Sequence, residues 1–445
     1  MTTQSRPDRD LTGTRVPRDW CDRLGSIHRE RRSQVPDHDG AVPRVPTPLG
    51  VLGVLDVIGD DGDGAAARRM GGVRQNPVIS SDPEGDAAMR LYTWIADAPG
   101  ASGVLLWING VFDHTDVGAS EFEKVPDGNH CADLWTITLR LPADWRGSYG
   151  IAVHVGDRTA PWRAAQGRME VRRAAMEAAA MDPLGSHAVQ GSFGSHWSVA
   201  CGPLAPAEDW IDWTGAPAGG VERLDFPADG PRPAERAWVY APPEQCEAVR
   251  TPLLVLFDGQ VWKDAIGLPA ILDALIDQRL IAPLHVVMVD SQDQESRWAR
   301  LGVPGGQVDA VLDRILPRVR ATYPVSPRGC DTAVAGQSLG GMAALWTVAL
   351  GEGRVCHAIA QSASLWRFPV SAPLLREPRW RSIRLQAGTF EGSMLQDALD
   401  LSQRLAFDPM SPCRAVDVSA VHGGHDWATW RVGLVGALEE LFPAG

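Results

Sequence analysis

The sequence predicts two domains, a small β-sandwich followed by a larger α/β domain built on a mostly parallel sheet. Three observations carry this. The chain has 445 residues, more than a single hydrophobic core usually serves. Between about residues 76 and 155, short partly alternating runs are separated by turn signals with no long helix among them. From about residue 221 strand-length apolar runs alternate with helix-length ones.

Residues 1–75 are rich in Pro, Gly, Asp and Arg, with a glycine-laden stretch at 59–72, and read as a loosely ordered arm leading into the first domain. Residues 76–190 comprise the sandwich and a linker helix. Its strand candidates are 89–95, 104–107, 134–141 and 148–155; in 134–141 the order Leu-Trp-Thr-Ile-Thr-Leu-Arg-Leu alternates as a half-buried strand should. The alanine-rich run 164–180 is the predicted linker. Residues 191–445 make the second domain, opening with a Gly/Pro/Trp-rich stretch to 220. Strands follow at 221–226, 236–241, 253–257, 285–289, 332–335, 358–361, 383–387 and 415–421. Helices are expected at 268–279, 308–323, 340–350, 394–405 and 427–441. Two leading strands without a helix between them, then regular alternation, describe an α/β-hydrolase sheet with an antiparallel start.

Composition narrows the function. Hydrophobic residues at 44% and charged ones at 22% fit a globular chain, and a net charge of −13 argues against a general nucleic-acid or membrane-surface binder. An anionic ligand would need a local basic patch. The first fifteen residues hold no apolar signal core, and the longest apolar runs are far too short to span a bilayer. Seven cysteines are scattered, with no C-x-x-C pair, which fits reduced thiols and a cytoplasmic protein. No zinc-protease, phosphate-loop or dinucleotide motif is present, so neither a metal nor a cofactor is expected. Tryptophan is unusually frequent, 17 against 4 Tyr and 9 Phe, and such rings often grip planar ligands.

The chemistry centres on Gly336-Gln337-Ser338-Leu339-Gly340, which follows the apolar strand 332–335 and precedes a helix. The glycines permit a tight strand-to-helix turn that pushes the Ser338 oxygen outward, and the helix N-terminus favours developing negative charge. Ser338 is the candidate nucleophile. Chain order in such folds is serine, acid, histidine. His422 and His425 follow the final strand, in a loop whose two glycines mark it as mobile or tightly bent; His425, directly before the Asp426-capped last helix, is the candidate base and His422 its reserve. Glu391, in the exit loop of the penultimate strand, is the candidate orienting acid, with Asp397, Asp400 and Asp417 as alternatives. The backbone N–H groups of Leu339 and of Gln260, after the third strand, are the candidate oxyanion donors.

These residues resemble the cytoplasmic enterobactin (enterochelin) esterases. The resemblance extends through Trp107-Ile108-Asn109-Gly110-Val111-Phe112-Asp113-His114, Phe257-Asp258-Gly259-Gln260-Val261-Trp262, Gln361-Ser362-Ala363-Ser364-Leu365-Trp366 and Gly423-Gly424-His425-Asp426, over roughly 76–440. It implies a sandwich followed by an esterase D-like α/β-hydrolase domain. It also implies hydrolysis of the trilactone of ferric catecholate siderophores, iron entering only with the substrate. Ser338, Glu391 and His425 fall on the family's triad, and Arg297 falls where such enzymes carry an arginine near the substrate. Arg300 stands where an acidic residue is usual. A ferric tris-catecholate is a trianion, so Arg297, Arg300 and Arg367 are candidate anion contacts, and Trp262, Trp298 and Trp366 candidate stacking partners. Two other readings stand beside this one: a feruloyl, acetyl or S-formylglutathione esterase on the same fold, and a non-catalytic siderophore-binding protein.

Overall fold

Alternation in the first domain resolves into two sheets packed face to face. The computed structural model describes residues 44–45, 75–83, 85–126, 133–190, 195–216, 219–243, 250–406 and 414–444. The predicted arm at 1–75 therefore lies outside the described residues, apart from 44, 45 and 75. The sandwich strands are β1 (Val78–Ser81), β2 (Met89–Asp97), β3 (Ala101–Ile108), β4 (Glu123–Lys124), β5 (Leu134–Pro142), β6 (Arg146–Val155), β7 (Ala179–Ala180), β8 (His187–Gln190) and β9 (His196–Cys201). One sheet has the order β1-β2-β5-β4 and the other β3-β6-β9-β8, with β7 on β6. Between them sits an aromatic core of Tyr92, Trp94, Trp145 and Tyr149, whose rings meet edge to face. Many of the tryptophans are thus core, and their packing rather than any ligand explains them.

Two boundaries move. Helix α1 (Arg168–Ala178) is no linker: Val171 and Ala175 pack with Leu105, Ala152 and Trp162 on the outer face of the second sheet. After it the chain returns to the sandwich, since β9 pairs with β6 well past the predicted boundary at 190. The Gly/Pro/Trp-rich surroundings hid that strand's alternation.

The second domain carries β10 (Gly220–Phe226), β11 (Glu235–Ala241), β12 (Leu253–Leu256), β13 (His285–Val289), β14 (Thr332–Gln337), β15 (His357–Gln361), β16 (Ser382–Gly388) and β17 (Ala415–Val421). Their order is β10-β11-β13-β12-β14-β15-β16-β17, antiparallel as far as the β11–β13 pair and parallel from β12 onward. Strands such as Leu253–Leu256 are buried throughout because helices cover both faces, which is why they read as unbroken apolar runs. On one face pack α4 (Leu339–Leu350) and α5 (Met394–Ala406), and on the other α2 (Leu268–Asp277) and α6 (Trp427–Leu441); α3 (Gln294–Arg300) follows β13. The predicted helix 308–323 is present from Gln307 to Thr322, widened over Val311–Ile315 into a turn of i→i+5 bonds that takes in Pro317, which has no N–H to donate.

Where the domains meet, Glu208 is gripped by Arg146 of β6 and Arg431 of α6, all three side chains less than a tenth exposed.

Candidate active site

β14 delivers Ser338 at the carboxyl end of a strand whose six residues are all buried. The turn is steep: Ser338 has φ 57° and ψ −119°, a conformation that costs an ordinary residue about 1–3 kcal/mol. Two bonds hold it there. The Ser338 N–H donates to the Gln361 carbonyl at 2.9 Å, and the Ser364 N–H donates to the Ser338 carbonyl at 3.0 Å. Gly336 has no substitute, because a Cβ would lie 2.3 Å from the Gly340 carbonyl oxygen where the helix packs back. The Ser338 hydroxyl lies 3.5 Å from that of Ser364.

The segment after β15 leads from the candidate nucleophile to the candidate acid. Ser362, two residues before Ser364, donates to Glu391 Oε1 at 2.7 Å and itself accepts from Trp430 Nε1 at 2.8 Å. The Gly388 N–H adds a bond to the same oxygen at 2.9 Å. Glu391 Oε2 is left for His425 Nδ1, 3.2 Å away. The carboxylate is 1% exposed and the imidazole 36%, with the Trp430 ring set edge-on against it. A buried acid holding Nδ1 leaves Nε2 as the working nitrogen, the arrangement a serine hydrolase needs. Asp397 and Asp400 lie on α5, bonded to Ser393 and Gln396, and Asp417 lies in β17. His422 is engaged with Asp144 of the sandwich at 2.6 Å.

Leu339 opens α4, its N–H among the orphan donors of a helix start. The Gln260 side chain is pinned by Ser291 through two bonds, at 2.7 and 3.1 Å, which fixes the backbone that presents its N–H.

The predicted substrate contacts divide. Trp262 is fully buried, donates to Gln337 at 3.1 Å and packs edge-on against Trp427, so it is core and not a stacking surface. Arg297 binds Asp258 through two donors, at 2.7 and 2.9 Å. Burial works against its charge, but the Asp258 carboxylate outweighs this and its pKa moves up. Asp258 also accepts from Gln337 at 2.7 Å, so Arg297, Asp258, Gln337 and Trp262 form one buried network beneath the elbow. Arg300 is paired with the buried Glu235, which supplies from a distant strand the negative charge that Arg300 lacks locally. Both arginines, candidate anion contacts by sequence, are thus already paired with a carboxylate of the protein. Trp298, Trp366 and Arg367 do assemble. Trp298 is 53% exposed, the Trp366 ring lies 6.1 Å from it, and the Arg367 guanidinium sits 4.3 Å over it. Arg367 is tied through its N–H to the Ser364 carbonyl at 3.0 Å, so this rim adjoins the elbow. Asp258, Ser362 and Ser364 escaped the analysis of single residues, although all three lie in segments that carry the resemblance.

A family model described as enterochelin esterase, N-terminal, matches residues 93–211, and one described as putative esterase matches residues 235–441. The iron(III) salmochelin esterase of Escherichia coli O6:H1 is 30% identical over 387 residues, covering 81% of this chain and 88% of that protein. The chain belongs to the enterochelin esterase family. It is accordingly a carboxylic ester hydrolase. The iron(III) enterobactin esterase of the same E. coli strain is 29% identical, covering 76% of this chain and 86% of its own length. Among solved structures of the family, the enterobactin esterase of Shigella flexneri in the presence of enterobactin superposes with a TM-score of 0.68, at 25% identity, over 82% of this chain and 96% of that one. Family membership accounts for the pairing of the sandwich with the hydrolase domain.

Proposed function

We propose that this chain hydrolyses the lactone esters of ferric catecholate siderophores of the enterobactin type, with Ser338 as nucleophile, His425 as general base and Glu391 as its orienting acid. One observation carries the reading: the relay from Ser338 through the 361–364 segment to Glu391 and His425, built on a family scaffold whose relatives are named for that reaction. In the first half-reaction the Ser338 oxygen attacks a lactone carbonyl while His425 takes its proton. The oxyanion faces the N–H groups of Leu339 and Gln260, and His425 then returns the proton to the departing alkoxide. Water repeats the sequence on the acyl-enzyme and releases a carboxylate.

Exposed indole beside a guanidinium, as at Trp298 with Trp366 and Arg367, is a surface suited to stacking by a catechol ring, which supports a planar aromatic substrate. The enzyme needs no cofactor of its own in this scheme, and iron arrives as substrate. Among the described residues no cluster of His, Cys, Asp and Glu is arranged to hold a metal, and no helix is long and apolar enough to cross a membrane. Free thiols at Cys201, Cys330 and Cys356 support a cytoplasmic site of action.

Incubation with ferric enterobactin followed by mass spectrometry tests the proposal. Linear and then shorter ester fragments are expected from the wild type and none from Ser338→Ala. An intact trilactone alongside rapid hydrolysis of feruloyl or acetyl esters would overturn the substrate assignment.

A further inference from the structure

The loop 422–426 joins β17 to α6 and carries His425, and its two glycines leave a mobile and a tightly bent loop both open. The structure shows it clasped, and the clasp comes from the other domain. The Arg146 N–H donates to the His422 carbonyl at 2.9 Å, the Asn109 side-chain amide donates to the His425 carbonyl at 2.8 Å, and the Ser148 N–H donates to the buried Asp426 carboxylate. Asn109 is itself held on β6, its N–H donating to the Ser148 carbonyl at 3.1 Å. Contact is too close for side chains. A Cβ on Gly424 would lie 2.5 Å from the Asn109 carbonyl oxygen, and one on Gly110 (φ 83°) 2.8 Å from the Phe390 carbonyl oxygen. Phe390, the residue before Glu391, packs against the sandwich core. The nucleophile's elbow, by contrast, is braced within the second domain by Gln361 and Ser364.

We propose that the N-terminal sandwich is a working part of the catalytic centre, with Asn109 a positioning residue that sets where His425 stands relative to Ser338. This rests on His425 being the base. Asn109 touches neither reacting atom; it fixes the backbone that carries the imidazole. Catalytic geometry is steep, and a displacement of about 1 Å can cost about 100-fold in rate. Asn109→Ala therefore lowers kcat by about 10- to 100-fold while leaving KM near its wild-type value, because Asn109 holds the backbone of the base and touches no substrate.

The experiment measures kcat and KM on a p-nitrophenyl ester in the full-length protein, per active site titrated with a serine-directed phosphonate, so that unfolded molecules do not count. Thr138→Val is the control. It removes the buried Thr93–Thr138 hydroxyl pair (2.8 Å) and weakens the sandwich away from the loop. Asn109→Asp, equal in shape but without the donor, serves if the alanine variant does not fold. A per-site loss in kcat for either Asn109 variant, with Thr138→Val unaffected, supports the proposal. It is overturned if per-site kcat stays within about twofold of wild type, or if Thr138→Val loses as much. Turnover that survives in Ser338→Ala would instead overturn the nucleophile assignment beneath it.

Discussion

Glu391 keeps one carboxylate oxygen for His425 and binds Ser362 and the Gly388 N–H with the other, so the acid cannot swing away. Ser338→Ala is expected to lose about 10³-fold or more in kcat, and Glu391→Gln no more than that, with the double variant little worse than Ser338→Ala alone. Steady-state rates of the three proteins check this; multiplicative losses would mean that the residues do not act as a unit. The rim and the buried network separate on the same measurement. Trp298→Ala should raise KM for the ferric catecholate by roughly 2- to 10-fold and leave a small neutral ester unchanged, since one aromatic contact contributes about 0.5–1.5 kcal/mol. Arg297→Ala should depress kcat on both substrates, because it strands the Asp258 carboxylate beneath the elbow. Ser338, Glu391 and His425 were legible as candidates because the proposed chemistry demands a recognisable local setting: strand, tight turn and helix for Ser338, strand-exit loops for Glu391 and His425. The pairing of Arg300 with Glu235 was not, since a partner 65 positions away leaves no local mark. Nor does residue type alone say which face of its loop Trp262 presents.

Elements with one clear period were readable, and His285–Val289, Ala415–Val421 and Trp427–Leu441 stand where the sequence placed them. Those missed are short, as β8 is, or lie in turn-rich sequence, as β9 does; their stability comes from partners distant in the chain and not from local preference. β13 carries a further consequence. His285 begins it, buried and bonded to the Thr251 hydroxyl at 2.6 Å, and burial pushes its pKa from 6.5 down to about 4. The folded protein binds fewer protons here than the unfolded chain between those values. This group's contribution is therefore whole above pH 6.5 and is lost as pH falls towards 4. Denaturant titrations of wild type and His285→Gln should show the wild type losing about 2 kcal/mol more over that window. A stability difference independent of pH would contradict it.

At the scale of the molecule, Glu208 bridges the domains between two buried arginines, Arg146 and Arg431. Removing one member of such a buried network typically costs about 3–5 kcal/mol, because the charges left behind have no water to turn to. Glu208→Ala is expected to lower the melting temperature and to divide one calorimetric transition into two, the domains no longer unfolding together. A single unshifted transition would show that the bridge couples nothing. The bare backbone at Gly110 and Gly424 bears on inheritance. Surfaces that meet without side chains have no slack, so a recombinant joining this hydrolase domain to another sandwich meets a clash where that sandwich carries a Cβ at the position of Gly110. Such a hybrid should fail even when each half folds well, and recover when glycine is restored there. What must be inherited together is the pair of bare positions, one in each domain.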